Sequence, residues 1–127
     1  MNGNPSKREL LKQGIEIRRE PRSKDAVDRF RLATVNVDFE YDVETNRVTR
    51  VIPIIILFGS RNPKQDDISI RHELTHIRQF NPVLFEPLRR RIKGGLLLDD
   101  AQSFVDRILP KLNHDKLERE AEKSERI

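Results

Sequence analysis

The sequence of 127 residues contains no cysteine. Disulfide bonds and thiolate metal sites are therefore excluded, and any zinc ion must be held by histidine and carboxylate side chains. The lack of disulfides agrees with a reducing compartment, so we expect a cytoplasmic protein. Long hydrophobic runs are also absent: residues 52–58 are too few to cross a bilayer, and residues 1–20 lack the apolar segment of a signal peptide. We therefore expect no membrane partner.

Aromatic residues are sparse, at 6% of the chain, whereas charge is abundant. Charged residues make up 36% and hydrophobic residues 35%, and the formal net charge is +4. Such compositions occur in disordered chains, but here the apolar residues are clustered and periodic, which indicates a folded protein. A chain of this length suits one compact domain, so we expect residues 1–127 to form a single domain.

The N-terminal half predicts one helix followed by a β-hairpin. Residues 6–18 carry leucines and isoleucines on an approximate helical face, with Ser6 as the N-cap. Residues 31–41 alternate between apolar and polar side chains, which is typical of a half-buried strand. After a turn at residues 42–46, a second strand at residues 47–58 pairs with the first. Its later half is apolar on both faces, so we expect cover on both sides of the sheet.

The C-terminal half predicts helices only. The first begins at Asp67 or Ser69 and runs to residue 80. Asn81 and Pro82 end it, because the residue before a proline disfavours the helical conformation. Three more helices follow: residues 83–93, closed by Gly94 and Gly95; residues 99–109, ended near Pro110; and a last one from about residue 113 or 115. Together with the hairpin, these helices predict the α+β class.

The first of these helices carries the sequence HELTH at residues 72–76. Four steps of 100° return to nearly the same side of a helix, so the imidazoles of His72 and His76 can reach one metal ion. Glu73 lies beside them and is the candidate general base, acting on a water molecule whose pKa the metal lowers. This combination of three fixed residues arises by chance in fewer than roughly one chain in a hundred of this length.

The same helix has an apolar stripe on the side opposite the histidines. Ile70, Leu74 and Ile77 form this stripe. We therefore expect the helix to bury one face in the core and to offer the other to a cleft. The alternative is that the two histidines are merely exposed residues of a surface helix and bind no metal.

A hydrolytic zinc site also needs a third protein ligand and an open position for water. No histidine follows the motif closely, since positions 79 and 82 hold Gln79 and Pro82. Among the downstream carboxylates, Glu118 has no basic partner one turn away and faces Glu122. Like charges at this spacing are unfavourable unless a cation lies beside them, which predicts Glu118 as a zinc ligand and Glu122 as a supporting acid. An ordinary solvated, charged helix explains the same residues.

These two motifs resemble those of the gluzincin group of zinc peptidases, and they are similar to the compact minigluzincins. In that group a Glu-x-x-Ala-Asp motif follows HExxH, and here residues 118–122 read Glu-x-x-Ala-Glu. The resemblance implies a zincin-like domain that hydrolyses peptide bonds, with Glu118 as third ligand and Glu122 in place of the usual aspartate. By analogy it also implies that part of residues 47–58 is an edge strand that pairs with a peptide substrate.

Several residues leave alternatives open. His114, one turn before Glu118, could donate to a transition state or replace Glu118 as third ligand, although such histidines are more often polar surface residues. The basic residues 89–93 could bind an anionic partner, but no nucleic-acid motif accompanies them and a solvated helix face explains them. We expect a peptide or protein substrate. The alternative functions are a zinc-binding latent or inactive domain and a basic interaction module. The further alternative ligands are Glu86, Asp99, Asp100 and Asp106.

Overall fold

The computed structural model describes residues 13–22 and 32–112 of the chain. These residues form three strands and three α-helices, with a π-helical turn at Asn81–Phe85 and a 3₁₀ turn at Leu109–Leu112. The strands are β1 (Glu16–Glu20), β2 (Ala33–Tyr41) and β3 (Val48–Phe58). The helices are α1 (Pro63–Phe80), α2 (Glu86–Lys93) and α3 (Leu98–Ile108). The predicted α+β class is confirmed, and the last predicted helix lies outside the described residues.

The sheet has the order β1-β3-β2, with β2 and β3 antiparallel as the predicted hairpin. Its turn is formed by local hydrogen bonds, because the side chain of Asp42 accepts from the amides of Glu44 and Thr45. Asn46 then takes a left-handed conformation with φ of 59°, which asparagine tolerates better than most residues. The strand alternation and the turn were therefore sufficient to predict this part of the fold.

The predicted helix at residues 6–18 is wrong for its last part, which is a strand. Gly14 has φ of +80°, a conformation that interrupts a right-handed helix, and β1 follows it directly. β1 pairs in parallel with the second half of β3, from Ile54 to Phe58. Ile15 and Ile17 contribute to the core at a spacing of two residues, which is the strand period. Residues 6–12 lie outside the described part of the chain.

Strand β3 is buried on both faces, as its uninterrupted apolar run predicts. Ile55 and Leu57 belong to the main core, which also contains the apolar residues of α1. Ile52, Ile54 and Ile56 form a separate buried cluster. Alternate residues of a strand point to opposite faces, so the two clusters lie on opposite sides of the sheet.

A charged bridge crosses β3 on the side of the smaller cluster. Arg18 on β1 donates a hydrogen bond to Asp38 on β2 at 3.0 Å, and Glu16 accepts a second at 2.9 Å. These two hydrogen bonds raise the pKa of Arg18 above its ordinary value. The partners are exposed, so the bridge adds little to stability and mainly ties the two edge strands together.

Helix α1 begins earlier than predicted, because its cap is Asn62 rather than Asp67 or Ser69. The side chain of Asn62 accepts from the amide of Gln65 at 3.2 Å, and Pro63 occupies the first helical position. Asparagine at the N-cap followed by proline is a favourable helix start, since proline needs no intrahelical partner for its missing N–H. The helix thus spans 18 residues and places HELTH in its second half.

Helix α1 ends at Phe80, as predicted. Asn81 and Pro82 do not break the helical path, however, since the chain continues through a π-turn into α2. The amide of Glu86 reaches the carbonyl of Asn81, a five-residue step. Pro82 cannot donate within an α-helix, and the wider turn accommodates it. Arg89 donates to the side chain of Asn81 at 2.9 Å across this turn. Helix α2 then ends at Lys93 and is closed by Gly94, as predicted, and α3 lies within one residue of its predicted bounds.

Candidate metal centre

Helix α1 brings the two histidines of HELTH together. The Nε2 atoms of His72 and His76 are 3.1 Å apart, and the rings meet edge to face with centroids 4.8 Å apart. Glu73 adds a carboxylate, and one ligand atom from each of the three residues lies within 4.8 Å of the others. Two imidazole nitrogens and a carboxylate oxygen are a donor set that divalent transition metals accept.

The spacing of the imidazole nitrogens fits a shared metal ion. Two nitrogens bound to one tetrahedral ion at about 2.0–2.1 Å lie about 3.3 Å apart. The Nε2 atoms of His72 and His76 approach this separation at 3.1 Å. This His72, Glu73 and His76 group is the one cluster of three or more histidine and acidic side chains found within residues 13–22 and 32–112. It could hold a metal ion.

The ring of His76 is held by two neighbours on its own helix. Its Nδ1 atom lies 2.9 Å from Oε1 of Gln79, one turn further on. The ring also stacks on Phe80, with centroids 5.6 Å apart and an interplanar angle of 22°. These contacts aim Nε2 of His76 towards His72. Gln79 carried no functional prediction from the sequence, although its spacing of three residues from His76 places it on the same helix face.

The group of His72, Glu73 and His76, called the metal cluster below, is more enclosed than the amphipathic pattern of the helix predicted. Ile70, Leu74 and Ile77 are buried in the main core as expected. The opposite side is not an open cleft, however, because Glu73 is 7% exposed and His76 is 8% exposed. His72 is the most exposed of the three, at an intermediate level. Glu73 and His76 are therefore shielded from water, whereas His72 keeps partial contact with solvent.

A row of polar residues continues from the cluster towards the start of α1. At 100° per residue, five side chains lie within about 40° of one line along the helix. Gln65 donates to the hydroxyl of Ser69 at 3.1 Å, and the histidine and glutamine contacts follow one turn later. We call this row the polar stripe; it consists of Gln65, Ser69, His72, His76 and Gln79.

A cavity of about 380 Å³ adjoins the beginning of the polar stripe. Gln65 and Ser69 contribute to its wall, together with residues of the loop before α1 and of the sheet. None of the three metal-cluster residues lines it.

The structure describes only some of the other predicted site residues. Glu118, Glu122 and His114 lie outside the described residues. Glu86, Asp99, Asp100 and Asp106 are described, and none of them joins a cluster that could hold a metal.

The predicted substrate-binding edge is contradicted for the second half of residues 47–58. β3 is the central strand, and from Ile54 to Phe58 it pairs with β1 on one side while β2 pairs along the other. A strand whose two edges are occupied cannot add a peptide through main-chain hydrogen bonds. The apolarity of this strand therefore reflects burial in the core.

Two residues of the basic cluster at residues 89–93 have contacts within the protein. Arg89 donates to Asn81, and the guanidinium of Arg91 lies 4.3 Å from the centre of the Phe104 ring. A cation over an aromatic face is a stabilising contact. These two arginines thus have roles in joining helical segments.

No helix within the described part of the chain combines the length and apolar character needed to cross a membrane. Comparisons with models of known protein families, with curated proteins and with solved structures gave no match to this chain. Functional inference therefore rests on the chemistry and geometry of the cluster on α1.

Proposed function

We propose that this protein is a zinc-dependent peptidase that hydrolyses peptide bonds in a peptide or protein substrate. The observation that supports the proposal best is the pair of Nε2 atoms of His72 and His76, 3.1 Å apart beside the carboxylate of Glu73. Two imidazoles one helical turn apart, with a glutamate next to the first, are suited to binding zinc with a base at hand.

The zinc ligands in this proposal are His72 and His76, each through Nε2. The third ligand is Glu118, as its position in the sequence motif suggests. Glu122 orients a zinc-bound imidazole without binding the zinc ion itself. Gluzincin-type zinc sites combine two histidines with one carboxylate, which leaves a coordination position for water.

Bound zinc would supply Lewis acidity and lower the pKa of a water molecule at the site. Glu73 then accepts a proton from the attacking water on a carboxylate oxygen and transfers it to the leaving amine. The low exposure of Glu73 favours this role. A carboxylate interacts more strongly with the leaving amine, as that amine takes up the proton, in a dry site than in water.

A second function is favoured by the same burial. With Glu73 at 7% and His76 at 8% exposed, a polypeptide substrate has little access to the cluster. A latent or inactive zinc-binding domain would have this property. It predicts stoichiometric zinc without cleavage of any peptide.

The test combines zinc content by mass spectrometry with cleavage of an unfolded protein such as casein. The variants are Glu73→Gln and, as a matched control, Glu86→Gln, which changes an exposed glutamate on α2. We expect Glu73→Gln to keep zinc and to lose cleavage by at least about 10²-fold, because a general base contributes on that scale. Glu86→Gln should match the wild type in both measurements.

The three possible results separate the candidates. Equal cleavage by Glu73→Gln and wild type contradicts the peptidase mechanism. Zinc in the wild type without cleavage supports the latent domain. A wild type that binds no zinc contradicts both functions.

A further inference from the structure

We propose that Gln79 is a positioning residue, which fixes His76 in the tautomer that can bind a metal ion. This inference deepens the proposed function and rests on its metal site, but it does not require that the protein cleaves peptides. It is carried by the contact of 2.9 Å between Nδ1 of His76 and Oε1 of Gln79.

The direction of the hydrogen bond follows from the acceptor. An amide carbonyl oxygen can only accept, so a hydrogen bond at this contact requires the tautomer of His76 that carries its proton on Nδ1 and donates it to Gln79. A neutral imidazole has a single N–H group, and its Nε2 atom therefore keeps a lone pair. That lone pair is directed at Nε2 of His72, 3.1 Å away, where a metal ion would be shared.

The burial of His76 gives this hydrogen bond its importance. At 8% exposure, the ring has little access to solvent that could replace a lost acceptor. Its plane is also restricted by stacking on Phe80. Without Gln79, the proton is no longer held on Nδ1 of His76. A proton on Nε2 instead would occupy the lone pair that binds the metal ion. Hydrogen bonds of this kind, made by the second nitrogen of a ligating histidine, orient the ring and increase metal affinity.

Two substitutions at position 79 separate hydrogen bonding from packing. Gln79→Leu removes the acceptor at similar size. Gln79→Glu keeps an oxygen at the same place, and an ionised carboxylate can only accept. The matched control is Gln65→Leu, which removes a glutamine amide from the same stripe of the same helix, away from the histidines.

The first measurement is the tautomer of His76 in the metal-free, full-length protein. Nitrogen-15 NMR at mildly alkaline pH distinguishes Nδ1–H from Nε2–H, and a His76→Gln variant identifies the signal. We expect the Nδ1–H form in wild type, Gln79→Glu and Gln65→Leu. In Gln79→Leu we expect a shift towards the Nε2–H form.

The second measurement is zinc affinity, determined by competition with a chromophoric chelator. Gln79→Leu should raise the dissociation constant by about 10–100-fold, which is the usual effect of losing such a supporting contact. Gln79→Glu and Gln65→Leu should stay within about threefold of wild type by the same reasoning.

These results distinguish the role of Gln79 from the proposed function. Unchanged tautomer and zinc affinity in Gln79→Leu would overturn the role of Gln79 and leave the peptidase proposal standing. Loss of affinity in both Gln79→Leu and Gln79→Glu would also overturn it, because packing would then be the cause. If the tautomer and the zinc affinity change as expected but the protein cleaves no peptide, the role of Gln79 is supported and the peptidase proposal is contradicted. A wild type without zinc binding would overturn both.

Discussion

The two buried sides of α1 have nearly the same exposure and opposite chemistry. On one side Ile70, Leu74 and Ile77 are 7%, 4% and 7% exposed. Among the described residues, the buried polar and charged side chains are Ser69, Glu73 and His76, at 5%, 7% and 8%, and all lie on α1. The helix therefore concentrates the polar groups of the interior in one place.

These two sides contribute to the protein in different ways. A fully buried aliphatic side chain stabilises the fold by about 1.5–3 kcal/mol. A buried polar group costs free energy unless it is hydrogen-bonded, and a typical hydrogen bond adds only about 0.5–1.5 kcal/mol net. Stability alone would thus favour apolar residues on both sides of α1. On α1 the apolar side forms part of the core, and the polar side carries the three residues that could hold a metal ion.

The largest effect is expected from His76→Leu, which makes the polar side resemble the apolar one. We expect tight zinc binding to be lost, because one of two imidazole ligands is removed. In the presence of chelator, stability should change by only about 1 kcal/mol, since the partners His72 and Gln79 keep partial contact with solvent. Zinc titration and urea unfolding of the metal-free protein measure the two effects. Retained zinc affinity would remove the functional distinction between the sides.

The converse substitution is Leu74→Ala on the apolar side. Leu74 is 4% exposed in the main core, so its truncation should destabilise the metal-free protein by about 2–5 kcal/mol. The zinc affinity of the molecules that remain folded should stay close to wild type. Leu97→Ala, at a leucine that is 44% exposed, is the control and should have a much smaller effect in urea unfolding. Loss of zinc affinity in folded Leu74→Ala would indicate that the two sides are coupled.

The sequence predicted the features of α1 that depend on local periodicity. HELTH and the apolar stripe repeat at helical spacing, and the hairpin alternates at strand spacing, so each carries its own signal. β1 escaped prediction because the apolar residues of 6–18 also fit an approximate helical face, and the partner of β1 in β3 lies far along the chain. The signal for the true start of α1 was available, since Asn62 and Pro63 together form a favourable N-terminus.

The site was only partly predictable for a similar reason. Residue spacing predicts that His72 and His76 can meet, and the 3.1 Å contact agrees with this. Spacing does not fix which ring nitrogen faces the partner, because that depends on the rotamer of His76 and on the acceptor from Gln79. Nor does amphipathicity predict that the polar side of a helix is also enclosed, since this is a property of the tertiary fold.

The smallest effect is expected from Ser69→Ala, which tests whether the whole polar stripe contributes to zinc binding. Ser69 accepts from Gln65 at 3.1 Å, and it lies one turn before the histidines. Its loss should lower the free energy of unfolding by about 0.5–1.5 kcal/mol, the usual contribution of one hydrogen bond. Zinc affinity should not change, because Gln65 and Ser69 form a hydrogen bond with each other, whereas the contact of His76 outside the metal cluster is with Gln79 at the other end of the stripe. A fall in zinc affinity comparable to that in Gln79→Leu would instead mean that the whole polar stripe is one binding network.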